Sequence, residues 1–498
     1  MTSKSKLILS KLKTFRRLSL LERLWLMAPI MIWFSYLPRI SLAEDGTMNY
    51  ELSLTLIYVV ILAIVGLPRV WHRWSELRQS GLVRLASAFV GWSGLCVIWS
   101  DNRTRGLLTF AVYVVLYLVF LALVAERRLL CQLLPKLVRV TIWATISACL
   151  LAITQMVLGT FVITNRHSLG LCAGCVAGQF GFIRPNLLAI EPQFLGSLLL
   201  APLLYITYLT LQGKHSYAKQ PLLLVAEQPV YQSNTKHSYA KQPLLLVLML
   251  TTLWLTLSRG AIYAYLASLV VMILLIRKWR RQLVVVGLTA LSLVVCLVCQ
   301  GVLASANPRI DSSFTQAVST SLNHLSMGVV RLPYQRKSPT SPPLISQEHD
   351  KQPAYHGYVV ESTNVRLSLT KTALTAWRSN QLGQQLFGTG LGSAGIVLAR
   401  QTGSRYQKEI VQNEFVEVLL ERGLIGLALL GGLVVLYGRL CSQRRDHLAL
   451  VILVAYLVQW CFFSGLPNAL HIYLVLALLS AKLLDGASAS KNLPDGLK

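Results

Sequence analysis

Three glutamates at helical spacing mark the point where a long polar segment, residues 304–412, gives way to an apolar run. Glu414, Glu417 and Glu421 are separated by three and four residues, so on a helix they share one face. Acidic residues near a helix N-terminus complement the helix dipole, which is the structural interpretation. The chemical interpretation is that Glu414 or Glu417, or Glu191 at another predicted helix start, takes a proton from a reacting hydroxyl group.

Three arginines could meet these carboxylates on one surface. Arg184 lies shortly before Glu191, Arg259 lies in a short turn between two apolar runs, and Arg366 lies beside the apolar stripe of a helix predicted over Thr363–Ser379. Guanidinium groups stay charged and bind phosphate oxygens bidentately, so this cluster predicts a pyrophosphate-binding site. Taken singly, Arg184 and Arg366 could instead contact lipid headgroups or a carboxylate. The short turn around Arg259 leaves little room for water and favours a functional role.

Other polar residues are candidate supporting groups. Gln412 and Asn413 directly precede the glutamates, and His471 begins the last apolar run, where it could contact a substrate or lie at the level of lipid headgroups. Cys172 and Cys175 could form a disulfide or remain thiols. No His, Asp or Cys cluster has the spacing of a metal site, so the sequence predicts neither a metal nor a cofactor.

The composition is that of a membrane protein. The chain has 498 residues, of which 54% are hydrophobic and only 13% are charged, against about 25% charged in soluble domains. The formal net charge of +27 is attributed to basic cytoplasmic loops. Nucleic acid is excluded as a partner, because no basic run is interleaved with stacking aromatic residues.

The apolar runs predict an all-α polytopic membrane protein with about twelve transmembrane helices. They lie near Leu24–Leu37, Leu52–Leu67, Leu82–Trp99, Leu107–Val124, Leu137–Val162, Phe194–Leu211, Leu244–Leu257, Ala261–Ile276, Leu283–Leu303, Val416–Tyr437, Leu448–Phe463 and Ala469–Leu484. Five regions follow: a cytoplasmic basic arm (1–23), helices one to nine (24–303), a long, partly helical extracytoplasmic loop before the tenth helix (304–412), helices ten to twelve (413–484) and a cytoplasmic tail (485–498).

The sidedness follows from charge. Lysines and arginines accumulate in every second connection, which predicts that both termini are cytoplasmic and that the candidate residues lie outside. The run Leu244–Ile276 is divided at Ser258-Arg259-Gly260, because a single helix would be about 50 Å long and would exceed a hydrocarbon core of about 30 Å. An undivided helix would also reverse the sides of every connection before or after it, which would spoil the charge bias.

These motifs, in this order, resemble those of the O-antigen ligase and O-antigen polymerase superfamily of bacterial envelope proteins. The resemblance covers roughly Phe161 to Val435. It rests on Arg184 with Glu191-Pro192, Ser258-Arg259-Gly260-Ala261, Arg366, Trp377, Gly388-Thr389-Gly390-Leu391-Gly392, and Asn413 with Glu421-Arg422-Gly423-Leu424-Ile425-Gly426.

The resemblance implies a metal-independent, inverting glycosyltransferase of the bacterial cytoplasmic membrane. Such proteins transfer a glycan from an undecaprenyl pyrophosphate carrier in the membrane lipid to a hydroxyl of a glycan or lipid acceptor, and arginines hold the pyrophosphate. Ligases have a histidine directly before the asparagine, where this chain has Gln412. A glutamine side chain cannot accept a proton, so a polymerase is favoured over a ligase.

A membrane transporter of a small solute is the alternative, because twelve spans with basic inner loops also suit secondary carriers. Carriers, however, often have related halves and carry charged residues near mid-membrane. In this chain the charged residues gather at the predicted outer surface, and no two halves look alike. A non-catalytic protein of envelope assembly is a further alternative.

Overall fold

The structure is a computed structural model that describes residues 18–44, 49–161, 180–213, 241–307, 312–330, 357–403, 410–464, 466 and 469–491. Its helices are α1 (Leu20–Met31), α2 (Leu54–His72), α3 (Trp74–Leu77), α4 (Gly81–Leu95), α5 (Arg103–Ala125), α6 (Arg127–Phe161), α7 (Pro192–Gln212), α8 (Lys241–Leu255), α9 (Arg259–Leu275), α10 (Trp279–Ser305), α11 (Phe314–Leu325), α12 (Gly357–Ser379), α13 (Leu382–Phe387), α14 (Ala394–Thr402), α15 (Glu414–Gln443), α16 (His447–Trp460) and α17 (Leu470–Lys491). Its strands are β1 (Arg39–Glu44) and β2 (Asn49–Ser53).

The helices are those of an integral membrane protein. Six of them are long and apolar enough to cross a membrane by length and composition: α2, α5, α6, α7, α10 and α15. The shorter apolar helices, with 10–17 residues, are α4, α8, α9 and α16. Each of the twelve predicted spans overlaps one helix, but the number of membrane crossings stays a prediction. Helix α7 is central, because 72% of its apolar 18-residue stretch is buried.

The predicted division of the run Leu244–Ile276 is present. Helix α8 ends at Leu255 and α9 begins at Arg259, with Ser258 as the residue before its first turn. Leu257 adopts a left-handed backbone conformation with a φ of 51°. Two helices therefore replace the single long one that the apolar composition alone would allow.

A two-stranded antiparallel hairpin departs from the predicted all-α fold. Strands β1 and β2 pair between α1 and α2, with an irregularity between Ser41 and Ala43. The first predicted span, Leu24–Leu37, is correspondingly shortened, because α1 ends at Met31. The β1 sequence Arg-Ile-Ser-Leu-Ala-Glu begins with alternating polar and apolar residues, the period that favours a strand over a helix.

The helix connections form two groups at opposite ends of the bundle. Helix α7 runs between them, because a residue at its start bonds to one group and its last residue bonds to the other. At one end, connections that are predicted to lie outside bond to residues of the polar segment or of the α15 start: Ser100 to Leu391, Gln193 to Arg366, Leu257 to His324, and Ser464 to Glu417. At the other end, connections that are predicted to lie inside bond to one another: Glu76 to Arg127, Gln212 to Lys278, and Asp446 to Lys482. This grouping agrees with the predicted alternation, although which end faces the cytoplasm stays a prediction.

Candidate functional site

The glutamate-bearing start of α15 is fastened to its surroundings by its own side chains. Asn413 caps the helix by accepting a hydrogen bond from the Val416 N–H at 3.1 Å. The Glu417 carboxylate accepts one bond from the Val411 N–H at 3.1 Å and another from the Ser464 hydroxyl at 2.6 Å. Because these bonds join the end of the polar segment to the residues after α16, Glu417 has an evident structural role.

The other two carboxylates also contact different elements. Glu414 is only 5% exposed and accepts a hydrogen bond from the Tyr473 hydroxyl at 3.0 Å. Glu421 accepts one from the Ala394 N–H at 3.2 Å, at the start of α14. The adjacent Arg422 is buried too, and it donates to the Tyr113 hydroxyl at 2.9 Å. The sequence predicts one shared acidic face, but the folded carboxylates hold three different neighbours in place.

The three predicted arginines lie at the same end of the bundle, two of them close to the buried imidazole of His324 and the third bonded to the start of α7. Arg184 and Arg259 are 8% and 4% exposed, and Arg366 donates to the Gln193 side-chain oxygen at 2.9 Å. The pKa of His324 lies well below its usual value, first because of burial and then because of the positive charges of Arg259, Arg184 and Arg366. The Arg184 guanidinium lies 5.3 Å from the Phe180 ring, whose centroid lies 5.5 Å from that of His324. Arg259 is two residues after Leu257, whose carbonyl oxygen contacts His324.

His324 itself is a residue that the sequence analysis missed. It is 3% exposed and lies in the last turn of α11. Its Nε2 is 3.1 Å from the Leu257 carbonyl oxygen. Only a protonated ring nitrogen can bond to a carbonyl, so this contact assigns the proton to Nε2 and leaves Nδ1 as an acceptor. Nδ1 is buried and has no hydrogen-bond partner in the described part of the chain.

The turn after α16 connects the arginine cluster with the glutamates. A Cβ added to Gly260, the residue after Arg259, would lie 2.7 Å from the Phe462 Cβ, so α9 packs tightly against this turn. Asn413, from the start of α15, donates to the Cys461 carbonyl oxygen at 3.4 Å. Arg259 and Glu414 therefore lie at the same end of the bundle.

Glu191 differs from the other two candidate bases because its side chain is exposed. It is the residue before α7, and its side chain makes no capping hydrogen bond. Gln193, two residues later, is the partner of Arg366. The structure thus brings Glu191 near the arginine cluster and leaves its carboxylate accessible.

His471 is buried against α7. It is 2% exposed, and its Nε2 is 2.7 Å from the Ser197 hydroxyl oxygen. Ser197 lies one turn below Gln193, so His471 lies inside the bundle beneath the arginine cluster. Its side chain is therefore covered by protein, and both sequence-based interpretations, contact with a substrate and a position at the level of lipid headgroups, stay predictions.

Several buried polar atoms around these residues lack a hydrogen-bond partner within the described residues. They are the Ser258 hydroxyl, the Gln412 side-chain oxygen, His324 Nδ1 and both polar atoms of the Gln459 side chain. Native proteins leave few such groups unpaired, and water or a ligand commonly satisfies them. Gln412 also has a φ of 61°, the left-handed region that non-glycine residues adopt at a cost and often at functional sites.

Among the described residues, no group of three or more His, Cys, Asp and Glu side chains could hold a metal ion. The predicted pair Cys172 and Cys175 lies outside the described residues. Positive charge in this region is supplied by guanidinium groups, which bind phosphate oxygens directly.

Comparison with known proteins gives a match for one part of the chain. Residues 244–431 match a family model described as O-antigen ligase, whereas no curated protein matches the chain. The matched segment contains Arg259, His324, Arg366, Gln412, Asn413, Glu414 and Glu417, whereas Arg184, Glu191 and His471 lie outside it. The match supports a role in surface glycan assembly. The match over residues 244–431 confirms the resemblance to the O-antigen ligase and polymerase superfamily that the motifs carry.

Proposed function

We propose that this protein transfers a glycan from an undecaprenyl-pyrophosphate-linked donor to an acceptor hydroxyl group at the outer face of the bacterial cytoplasmic membrane. The observation that carries the proposal is that Arg184 and Arg259 lie close to His324, while Arg366 bonds to Gln193 at the same end of the bundle. Three permanent positive charges in one region suit a ligand that carries several negative charges. The pyrophosphate of such a donor, esterified to the sugar at one end and to the lipid at the other, has this chemistry, and it gains a further negative charge when the bond to the sugar breaks.

The reaction is a direct displacement at the anomeric carbon. A base takes the proton of the acceptor hydroxyl, whose oxygen attacks the carbon from the side opposite the pyrophosphate. The bond from that carbon to the pyrophosphate oxygen breaks, and the electron pair leaves with the pyrophosphate. Arginines close to the departing oxygens stabilise the charge that grows there, so no metal is needed.

Among the three predicted bases, the geometry favours Glu191. Its carboxylate is exposed on the segment that carries Arg184 and Gln193. Glu414 is buried against Tyr473, and Glu417 accepts two hydrogen bonds at the start of α15. We assign Glu414 and Glu417 supporting roles, and we favour a polymerase because Gln412 replaces the ligase histidine.

The proposal is tested by complementing a deletion strain and analysing its surface and lipid-linked glycans. Arg259→Lys keeps the charge but loses the planar fork, so it should reproduce much of the deletion defect at normal protein level. Arg103→Lys, an exposed position at the same end of the bundle, is the matched control and should behave as wild type. Wild-type glycans in Arg259→Lys would refute the proposal. Unaltered glycans in the deletion strain, together with solute uptake by vesicles, would favour the transporter alternative.

A further inference from the structure

A second cleft lies away from the arginine cluster, between the end of α4 and helices α13 and α14. It has a volume of about 710 Å³, within the range of about 300–1,000 Å³ that is usual for ligand sites. Its walls carry aromatic side chains, including Trp92, Trp99 and Phe387, and polar ones, including Asp101, Asn380 and Gln384. We call it the aromatic cleft.

The aromatic wall is continuous and held from within. The Trp92 ring lies 5.9 Å from the Trp99 ring and 5.9 Å from the Phe387 ring, measured between centroids. The Trp92 indole N–H donates to the Arg422 carbonyl oxygen at 2.9 Å, which fixes the central ring. Trp99 and Phe387 are 39% and 46% exposed, so their faces are accessible from the cleft.

The polar wall offers hydrogen-bonding groups of both kinds. Asp101 and Arg400 form an ion pair of 2.5 Å, with their side chains 41% and 67% exposed. The Asn380 side-chain nitrogen is buried and makes no hydrogen bond within the described part of the chain. Gln384 is exposed at the same wall. Carboxylate, guanidinium and amide groups thus face an accessible aromatic surface.

We propose that the aromatic cleft is a saccharide-binding subsite. A pyranose ring has one face of C–H groups, which carry partial positive charge and pack on the electron-rich face of an aromatic ring. Its rim of hydroxyl groups both donates and accepts hydrogen bonds, so it matches amide and carboxylate side chains. A lipid tail would use the aromatic wall but would remove water from Asp101, Arg400 and Gln384 without replacing its hydrogen bonds, which makes a sugar the better ligand.

The position of the cleft indicates which part of a glycan it would hold. Helix α12 carries Arg366, and Asn380 follows its last residue. At about 1.5 Å per residue, these two positions are roughly 20 Å apart along the helix. This step rests on the proposed function: with the pyrophosphate at the arginines, an oligosaccharide of several units would reach the aromatic cleft, which would hold sugars distant from the reacting bond.

The test measures binding of soluble oligosaccharides that mild acid releases from the lipid-linked glycan of the producing strain. The purified protein in nanodiscs is titrated, and binding is followed by saturation-transfer NMR. We expect Trp99→Ala to bind about tenfold more weakly, which corresponds to the loss of roughly 1.4 kcal/mol of stacking. Trp143→Ala, a 65% exposed tryptophan on α6 outside the cleft, is the matched control and should bind as wild type.

Two further variants separate the possible outcomes. Gln384→Ala should also weaken binding, because it removes the exposed amide of the polar wall, and it tests that wall if Trp99→Ala folds poorly. Arg259→Lys should bind the oligosaccharide as tightly as wild type does. If this variant binds the oligosaccharide and the strain that carries it makes normal glycans, the proposed function is refuted but the saccharide subsite is not. Absence of binding by wild type, or wild-type binding by both cleft variants, would overturn the saccharide subsite. In the latter case Trp99 would be only a membrane-interface anchor.

Discussion

Replacing His324 by phenylalanine should slow glycan transfer by releasing the turn that presents Arg259. The His324 Nε2–H donates to the Leu257 carbonyl oxygen at 3.1 Å, and Leu257 lies two residues before Arg259. Phenylalanine fills a similar volume but cannot donate this bond. The substitution therefore removes the contact while it changes the packing little.

The expected fall in the transfer rate follows from two free energies at this turn, the strain of its backbone and the hydrogen bond that opposes this strain. Leu257 has a φ of 51°, and a non-glycine residue in this region costs about 1–3 kcal/mol. Losing the partner of a buried carbonyl group also costs about 1–3 kcal/mol. These two free energies are of similar size. The bond from His324 therefore offsets much of the cost of the Leu257 conformation and is a main reason that the turn keeps it. At 1.4 kcal/mol per factor of ten, transfer should fall about 5- to 150-fold.

The assay is turnover of a lipid-linked oligosaccharide by purified protein in nanodiscs, with His324→Gln as the matched variant. The glutamine amide nitrogen can replace Nε2 as a donor but does not titrate, so this variant should recover most of the rate. A wild-type rate for His324→Phe would refute the positioning role. If His324→Gln were as slow as His324→Phe, the Leu257 bond would be unimportant and the acceptor Nδ1 would be required instead.

Three other predictions concern stability and are checked by thermal unfolding of the purified protein. Because the pKa of His324 is lowered in the folded chain, its imidazole is neutral in both the folded and the unfolded chain above about pH 6.5. Below that pH the unfolded chain gains a proton first, so stability should fall by up to about 1.4 kcal/mol per pH unit, and less in His324→Gln. Gly260→Ala should destabilise by about 1–3 kcal/mol, since its Cβ would overlap Phe462; an unchanged melting temperature would contradict this packing. Asp446→Asn should cost about 1.5–3 kcal/mol, because it weakens a charge-assisted bond to Lys482 between side chains that are only 11% and 13% exposed. Asp101→Asn, from an exposed pair, should cost less than about 1 kcal/mol; equal losses would be inconsistent with the difference in exposure.

The features predicted well from the sequence depend on local patterns. Apolar run length and helical periodicity placed a helix at each expected span, and the length argument found the turn at Arg259. The choice of Arg184, Arg259 and Arg366 also rested on chemistry that each residue carries on its own. Their position at one end of the bundle follows from the alternating direction of successive helices, which the basic residues in every second connection indicate.

The features that could not be predicted depend on contacts between distant segments. His324 is one histidine in a polar helix, and only its bond to Leu257 and the arginines around it give it a role. The spacing of the glutamates gave their helical positions but not their partners. Glu421 bonds to the start of α14, and Glu414 bonds to Tyr473, which is 59 residues away. No periodicity within one helix encodes these pairings.

The polar segment positions the site because it supplies partners for helix ends. The last carbonyl groups of a helix have no partner within that helix. Beyond the end of α8, His324 bonds to the carbonyl of Leu257, and at the end of α4 the Leu391 N–H bonds to the carbonyl of Cys96 at 3.2 Å. These bonds fix both the turn before Arg259 and the wall of the aromatic cleft. The apolar helices therefore determine which residues reach this end of the bundle, whereas hydrogen bonds from residues 304–412 determine how those residues are arranged.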